Sequence, residues 1–266
     1  MDEKADEKVD EKVSNVSMFR AVFIVAGALS MAGCAPPPEF GADTADDGNG
    51  DSMGDGGGAA LDLTRLDRGA EGPCGYPTGG SKGYGTGVGK RFENSAQFPL
   101  SLCDGSSLEI GDFFCQRDDA YGEHNRGILI NIGAGWCGPC QDETLEFPEL
   151  YEEYHDKGIE IVQILFQDWV AQTPTKAFCS DWATGNWTAE GGGMQDVGIR
   201  LEYPVAIDQV SDWTSKYLAD PESAAPVNIL LDANGNIRWK LEGQKPDLAV
   251  LRTQFDLVIA DPYGDD

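Results

Sequence analysis

The alternation of apolar and polar positions divides the second half of the chain into short, well-bounded elements. Gly127–Gly133 reads Gly-Ile-Leu-Ile-Asn-Ile-Gly, a near-continuous apolar run of the kind found in a strand buried on both faces of a sheet. Ile159–Phe166 is a second such run. Between them the spacing changes to a helical one over residues 138–156, ended by Lys157-Gly158, with glycine where a helix C-terminus favours it. Thr175–Trp182 reads as helix, and Pro204–Asp208 and Val227–Asp232 as strands. The turn Ala233-Asn234-Gly235-Asn236 folds the last strand back into Ile237–Leu241 as a hairpin. Residues 246–260 form a closing helix with apolar positions at 248, 251, 255, 258 and 259. Ahead of the first long strand, Phe98–Leu102 and Ser107–Ile110 read as short strands around the turn Asp104-Gly105, an N-terminal β-hairpin extension. Strands alternating with helices predict an α/β fold with a mixed central sheet flanked by helices on both faces.

The first third of the chain lacks this patterning. Residues 18–34, MFRAVFIVAGALSMAGC, begin with a basic residue and an apolar run and end in small residues before Cys34. The run is shorter than the ~20 residues needed to cross a bilayer, and its layout is that of an export signal. Met31-Ala32-Gly33-Cys34 resembles a bacterial lipobox, which would make Cys34 the lipidated residue. Upstream, Asp-Glu-Lys recurs at residues 2–4, 6–8 and 10–12, an odd preface to a signal, so translation is expected to start at Met18. Residues 35–72 are mostly Pro, Gly, Asp and Ala and cannot bury enough apolar surface to fold. Such a tether reaches roughly 30–35 Å. Residues 72–95 stay glycine-rich but carry Tyr76, Tyr84 and Phe92, which suggests an irregular wrap over a single domain at 73–266.

Composition narrows the function. A net charge of −27 excludes a phosphate-gripping nucleic-acid binder, which needs a basic face. The same charge argues against electrostatic adhesion to anionic lipid.

The chemistry concentrates at Gly135-Trp-Cys-Gly-Pro-Cys-Gln-Asp-Glu143. Cys137 and Cys140 fall where a buried strand hands over to a helix. The unpaired N–H groups of the first helical turn favour negative charge, so a thiolate at Cys137 is stabilised there. In such settings the thiol falls from ~8.5 to about 7 or lower. Cys137 is therefore the attacking sulfur and Cys140 the resolving one. A structural zinc site is disfavoured, because there is no second Cys-X-X-Cys and the only histidines are His124 and His155. No metal or cofactor is expected. Neither the wider spacing plus histidine of copper carriers nor the Thr-X-X-Cys of peroxiredoxin-type peroxidases is found.

Trp136-Cys137-Gly138-Pro139-Cys140 resembles the thioredoxin active-site signature. The wider context is similar to the TlpA/ResA group of membrane-tethered, extracytoplasmic thioredoxin-like proteins of the redoxin class. Asn131-Ile132-Gly133-Ala134 resembles that group's Asn-Phe-Trp-Ala, and Glu143 matches its Cys-X-X-Glu. Ala225-Pro226 followed by Asn234-Gly235 resembles its "Thr-Pro … Asp-X-X-Gly" segment. The resemblance covers roughly residues 97–262. It implies a thioredoxin-like fold and a cis peptide before Pro226, with Trp136, Pro139, Ala225 and Pro226 receiving substrate. It also implies a disulfide-bearing protein substrate, a membrane electron donor and a lipid anchor at the periplasmic or outer face. Asn131 stands near where cytoplasmic thioredoxins carry a buried Asp, leaving Glu143 to accept the Cys140 proton. The group's helix proline would fall at Leu145, whereas this chain has Pro148.

The remaining cysteines, Cys74, Cys103, Cys115 and Cys179, are even in number, which in an exported protein suggests structural disulfides. Cys103 with Cys115 and Cys74 with Cys179 is the first expectation. The predicted function is a membrane-tethered thiol–disulfide oxidoreductase acting as a reductase. The alternatives are a tethered binding module with an inert Cys137–Cys140 disulfide, and a thiol peroxidase-like redoxin.

Overall fold

The structure is a computed structural model that describes residues 76, 82–93, 99–114, 125–187, 197–218 and 225–264. Cys34, Cys74 and Cys115, the expected export signal and tether, and His124 lie outside the described residues.

The strands are β1 (Leu100–Leu102), β2 (Ser107–Leu108), β3 (Gly127–Ala134), β4 (Ile159–Gln167), β5 (Val205–Ile207), β6 (Val227–Asp232) and β7 (Ile237–Glu242). They form one seven-stranded sheet in the order β2-β1-β5-β4-β3-β6-β7. β3, β4 and β5 run parallel, while β6, β7, β1 and β2 are antiparallel to their neighbours. The expected hairpin extension is β1–β2, and β1 joins it to the main sheet through β5. The helices are α1 (Gly138–Tyr154), α2 (Lys176–Ala183), α3 (Asp212–Tyr217) and α4 (Leu248–Ala260).

The apolar runs of β3 and β4 are buried on both faces, as their patterns require, because each face meets its own core. Leu129, Ile161 and Leu230 pack with Phe147 and Leu150 of α1, Trp182 of α2, and Leu251 and Phe255 of α4. Ile128, Val162 and Ile229 pack on the other face with Trp213 and Tyr217 of α3, Phe113 of a 3-10 turn at Ile110–Phe114, and Phe92. Phe92 is fully buried, stacked on Tyr217 with ring centres 4.3 Å apart. Its N–H donates to Gly235 O at 2.8 Å, so the glycine-rich segment is fastened to the β6–β7 turn.

α1 runs through Pro148 and closes in a 3-10 turn at His155–Lys157, where Gly158 takes the left-handed conformation at φ 91°. α3 lacks a sequence forecast. It starts where Asp208 Oδ2 accepts both the N–H and the hydroxyl of Thr214, each at 2.9 Å. Trp213 and Tyr217 carried a signal too short to define an element.

The disulfide expectation is corrected. Cys103 is bonded to Cys179 across 76 residues, neither to Cys115 nor to Cys74. Nearness along the chain misled because β1 pairs with β5, and α2 also packs on β5. Both sulfurs consequently lie against the Val205 carbonyl, at 3.5 and 3.7 Å.

Candidate active site

β3 delivers the chain to the cysteine motif and α1 carries it away. Gly135 N–H donates to Gln167 O at 2.9 Å and Cys137 N–H to Ala134 O at 3.2 Å, turning the chain sharply out of the sheet. A side chain at Gly135 would put its Cβ 2.8 Å from the backbone of Asp168 and Trp169, so this turn requires glycine. Cys137 is the N-cap of α1, and its Sγ accepts the Cys140 N–H at 3.3 Å. Pro139 falls in the first helical turn, where a missing N–H leaves no bond unmade.

Cys137 and Cys140 are joined by a disulfide. Cys137 is 4% exposed and Cys140 0%, so an approaching partner meets Cys137 first. Gly138, Pro139 and Trp136 form the exposed rim, and Trp136 Nε1 donates to Gln167 Oε1 at 2.8 Å. The Ala225–Pro226 peptide is cis. Val227 pairs with Ile132 across β6 and β3, which sets Pro226 at the same end of the sheet as the cysteines.

Beneath this surface lies a fully buried carboxyl group. Glu143 sits one turn beyond Cys140. Its Oε2 accepts from Asn131 Nδ2 and its Oε1 from Asn228 Nδ2, both at 2.7 Å. Burial pushes Glu143 up to about 8, while the bonds from Asn228 and Asn131, and more weakly Lys245, act the other way. Burial wins because two neutral amide donors replace less than the hydration the carboxylate gives up. Tyr203 lies in the same space, its ring edge-on to Phe147, and its hydroxyl is raised by burial and by the Glu143 charge.

Asn131 is directly opposite Gln163 on β4 and Asn228 on β6. These three amides are the buried polar positions beside Glu143. Sequence reading found Asn131 and Glu143 but missed Gln163 and Asn228. Each is an amide within a largely apolar strand, β4 also carrying Glu160 and Gln167 and β6 ending in Asp232. Among the described residues, no group of three or more His, Cys, Asp or Glu side chains is arranged to hold a metal ion.

A mixed sheet with flanking helices and a Cys-Gly-Pro-Cys disulfide capping the helix after the central strand define a thioredoxin-like disulfide oxidoreductase. The chain belongs to the Redoxin family, whose match spans residues 121–254, half its length. It is similar to the thiol-disulfide oxidoreductase ResA of Bacillus thuringiensis subsp. konkukian (strain 97-27), with 25% identity over 158 residues, 59% of this chain and 71% of that protein. Among solved structures, a thiol-disulfide oxidoreductase from Bacteroides fragilis NCTC 9343 is 20% identical with a TM-score of 0.42, covering 63% of this chain and 99% of its own. The pneumococcal exposed lipoprotein thioredoxin Etrx1 of Streptococcus pneumoniae strain TIGR4 is 16% identical with a TM-score of 0.43, covering 62% and 99%.

Proposed function

We propose that this protein reduces disulfides in other proteins through Cys137 and Cys140, with Glu143 handling the proton of the buried thiol. The observation that carries this reading is the placement of Cys137, the more accessible sulfur, at the N-terminus of α1, with Cys140 and Glu143 buried behind it. In the reduced protein the Cys137 thiolate attacks one sulfur of a substrate disulfide, and the other substrate sulfur leaves as a thiolate. Cys140 then gives up its proton and attacks Cys137 Sγ, releasing the second substrate thiolate. Two electrons pass to the substrate, and the Cys137–Cys140 disulfide is the oxidised product. Glu143, held near 8, exchanges a proton close to neutral pH, and it is its carboxylate form that accepts the Cys140 proton in this step. Trp136, Pro139, Ala225 and Pro226 supply the surface on which an extended substrate segment lies.

The direction of reaction rests on the Gly138-Pro139 dipeptide, that of reducing thioredoxins. The site of action rests on residues 18–34, which support export and lipidation at Cys34, with residues 35–72 as tether to the domain at 73–266. No helix among the described residues is long and apolar enough to cross a membrane. A membrane electron donor would return the two electrons to Cys137 and Cys140.

Insulin reduction driven by dithiothreitol tests the reading. The wild-type chain is expected to accelerate the reaction and Cys137→Ser to abolish the acceleration. Equal rates would instead establish an inert disulfide in a binding module. The Cys140→Ser protein should accumulate mixed disulfides at Cys137, from which the substrate can be identified.

A further inference from the structure

The buried amides beside Glu143 form a directed chain, and its direction begins at an indole. Trp182 of α2 is fully buried and donates its Nε1–H to Gln163 Oε1 at 2.7 Å. An indole nitrogen donates and never accepts, so Gln163 must turn its carbonyl oxygen towards α2. Its amino group is thereby aimed the other way, donating to Asn131 Oδ1 at 2.9 Å and to Thr144 Oγ1 at 2.7 Å. With its oxygen committed, Asn131 points Nδ2 at Glu143 Oε2, at 2.7 Å, and at Asn228 Oδ1, at 3.0 Å. Asn228 then directs its own Nδ2 to Glu143 Oε1 at 2.7 Å. A side branch runs through Thr144, whose hydroxyl donates to Cys140 O at 2.8 Å. If Gln163 were reversed, its amino group would face the indole N–H, and two buried donors would lack an acceptor, which is costly.

We propose that Trp182 fixes the hydrogen-bond polarity of this amide chain and is thereby a positioning residue for the redox centre. It touches neither cysteine. Its effect is that both Glu143 oxygens face N–H donors, an arrangement that suits the carboxylate and opposes the burial that suits the neutral acid. Packing alone does not require an indole here. The ring stacks on Trp187 with centres 4.7 Å apart and lies 5.1 Å from Trp169 and 5.9 Å from Phe178, contacts a phenyl ring can also make. α2 is itself anchored, by the Cys103–Cys179 disulfide and by Thr175, whose Oγ1 accepts the Phe178 N–H.

The inference rests on the proton-handling role of Glu143 proposed above. Besides the amides, the charged groups that act on Glu143 are Lys245 after β7 and Glu146 of its own helix; Tyr203 ahead of β5 feels the Glu143 charge, and Cys140 is one turn away. None of these is changed by a substitution at Trp182.

The test is Trp182→Phe in the full chain, which keeps a ring in the aromatic cluster and removes the N–H. The side-chain amide resonances of Asn131 and Asn228 are followed by NMR from pH 5 to 10, with Glu143→Gln identifying the titration that belongs to Glu143. Once Gln163 is free to turn, the carboxylate loses oriented donors, and the Glu143 midpoint is expected to rise by about one pH unit. In the reduced protein, the pH profile of Cys140 alkylation should move with it. A folded Trp182→Phe protein with the wild-type midpoint overturns the proposal. If that protein does not fold, Gln163→Met cuts the chain one bond further in and leaves the aromatic cluster intact. A raised midpoint then supports the proposal and an unchanged one overturns it. Because the readout is a titration rather than turnover, it stands apart from the insulin assay. A protein inactive on insulin still reveals whether Trp182 governs Glu143.

Discussion

Replacing Glu143 by Gln should abolish the pH dependence that this residue imposes on stability. In the unfolded chain the carboxyl ionises near 4.5, whereas in the folded protein burial holds the proton up to about 8. Between those values the folded state binds more protons than the unfolded state, so stability falls as pH rises. The penalty is absent below pH 4.5, grows through the interval and is complete above pH 8. A gap of roughly 3.5 pH units at ~1.36 kcal/mol each amounts to ~5 kcal/mol. Roughly 3 kcal/mol of it is already present at pH 7. Glutamine is nearly isosteric with the neutral acid and does not ionise, so the variant escapes this penalty. Its amino group will crowd one of the two amide donors that face Glu143, at a cost of ~1–3 kcal/mol that does not vary with pH. The measurement is urea unfolding of both oxidised proteins at pH 5, 7 and 9, read as the difference between them. Other buried acids, Glu160 and Asp232, contribute equally to both proteins and cancel. The variant should gain ~4 kcal/mol on wild type between pH 5 and pH 9, because part of the penalty is already present at pH 5. A difference that stays flat across that range would refute the claim that burial keeps Glu143 neutral.

Three further outcomes can be checked. Converting Cys103 and Cys179 to Ala opens a 76-residue loop, and the chain-entropy relation assigns this ~4.5 kcal/mol, visible as a lower thermal midpoint; an unchanged midpoint would show that packing of β1 and α2 on β5 suffices. Gly135→Ala forces a Cβ to within 2.8 Å of the Asp168–Trp169 backbone, and should cost ~1–3 kcal/mol and shift the Trp169 environment in near-ultraviolet circular dichroism; wild-type stability would contradict the close approach. Glu160, buried beneath the Tyr151 hydroxyl and raised to about 7 by burial, loses its protonated-state stability between about pH 4.5 and 7; Glu160→Gln should remove ~3 kcal/mol of that slope in the same urea series, and an unaltered slope would count against it.

The elements that could be read from the sequence are those whose pattern is local. β3, β4 and α1 each announce themselves by a run or a period long enough to be unambiguous, and the cysteine motif sits at their junction. α3 escaped because its six residues span barely more than one turn, and Asp208, outside the helix, caps it. The Cys103–Cys179 bond escaped for a different reason: its partners are neighbours only after β1 has paired with β5. Gln163 and Asn228 illustrate the same limit inside the site. A lone amide in an apolar strand has no local signature, and its meaning depends on register. One residue of slip in β4 or β6 would turn either side chain to the opposite face of the sheet and away from Asn131.

That register also explains why an acid can sit on the helix rather than on the central strand. Thioredoxin-like proteins with a buried Asp near the position of Asn131 place the ionisable group in the sheet. Here the strand supplies amides, and the acid belongs to α1, one turn from Cys140 on the same rigid element. A buried acid on β3 would need donors from its neighbours; Glu143 instead draws its donors from β3 and β6, two adjacent strands whose pairing is fixed by main-chain bonds. The two opposing effects on Glu143 therefore have separate structural origins: burial comes from the helix docking on the sheet, and the oriented donors come from the sheet itself. Substitutions that loosen the docking of α1 should lower the Glu143 midpoint by admitting water, whereas substitutions that disorder the amides should raise it. Phe147, fully buried on the same face of α1, provides the first kind: Phe147→Ala is expected to move the Glu143 midpoint down while Trp182→Phe moves it up. Movement in the same direction in both variants would mean that one cause, general loosening of the core, accounts for the titration, and the separation of burial from donor orientation would be wrong.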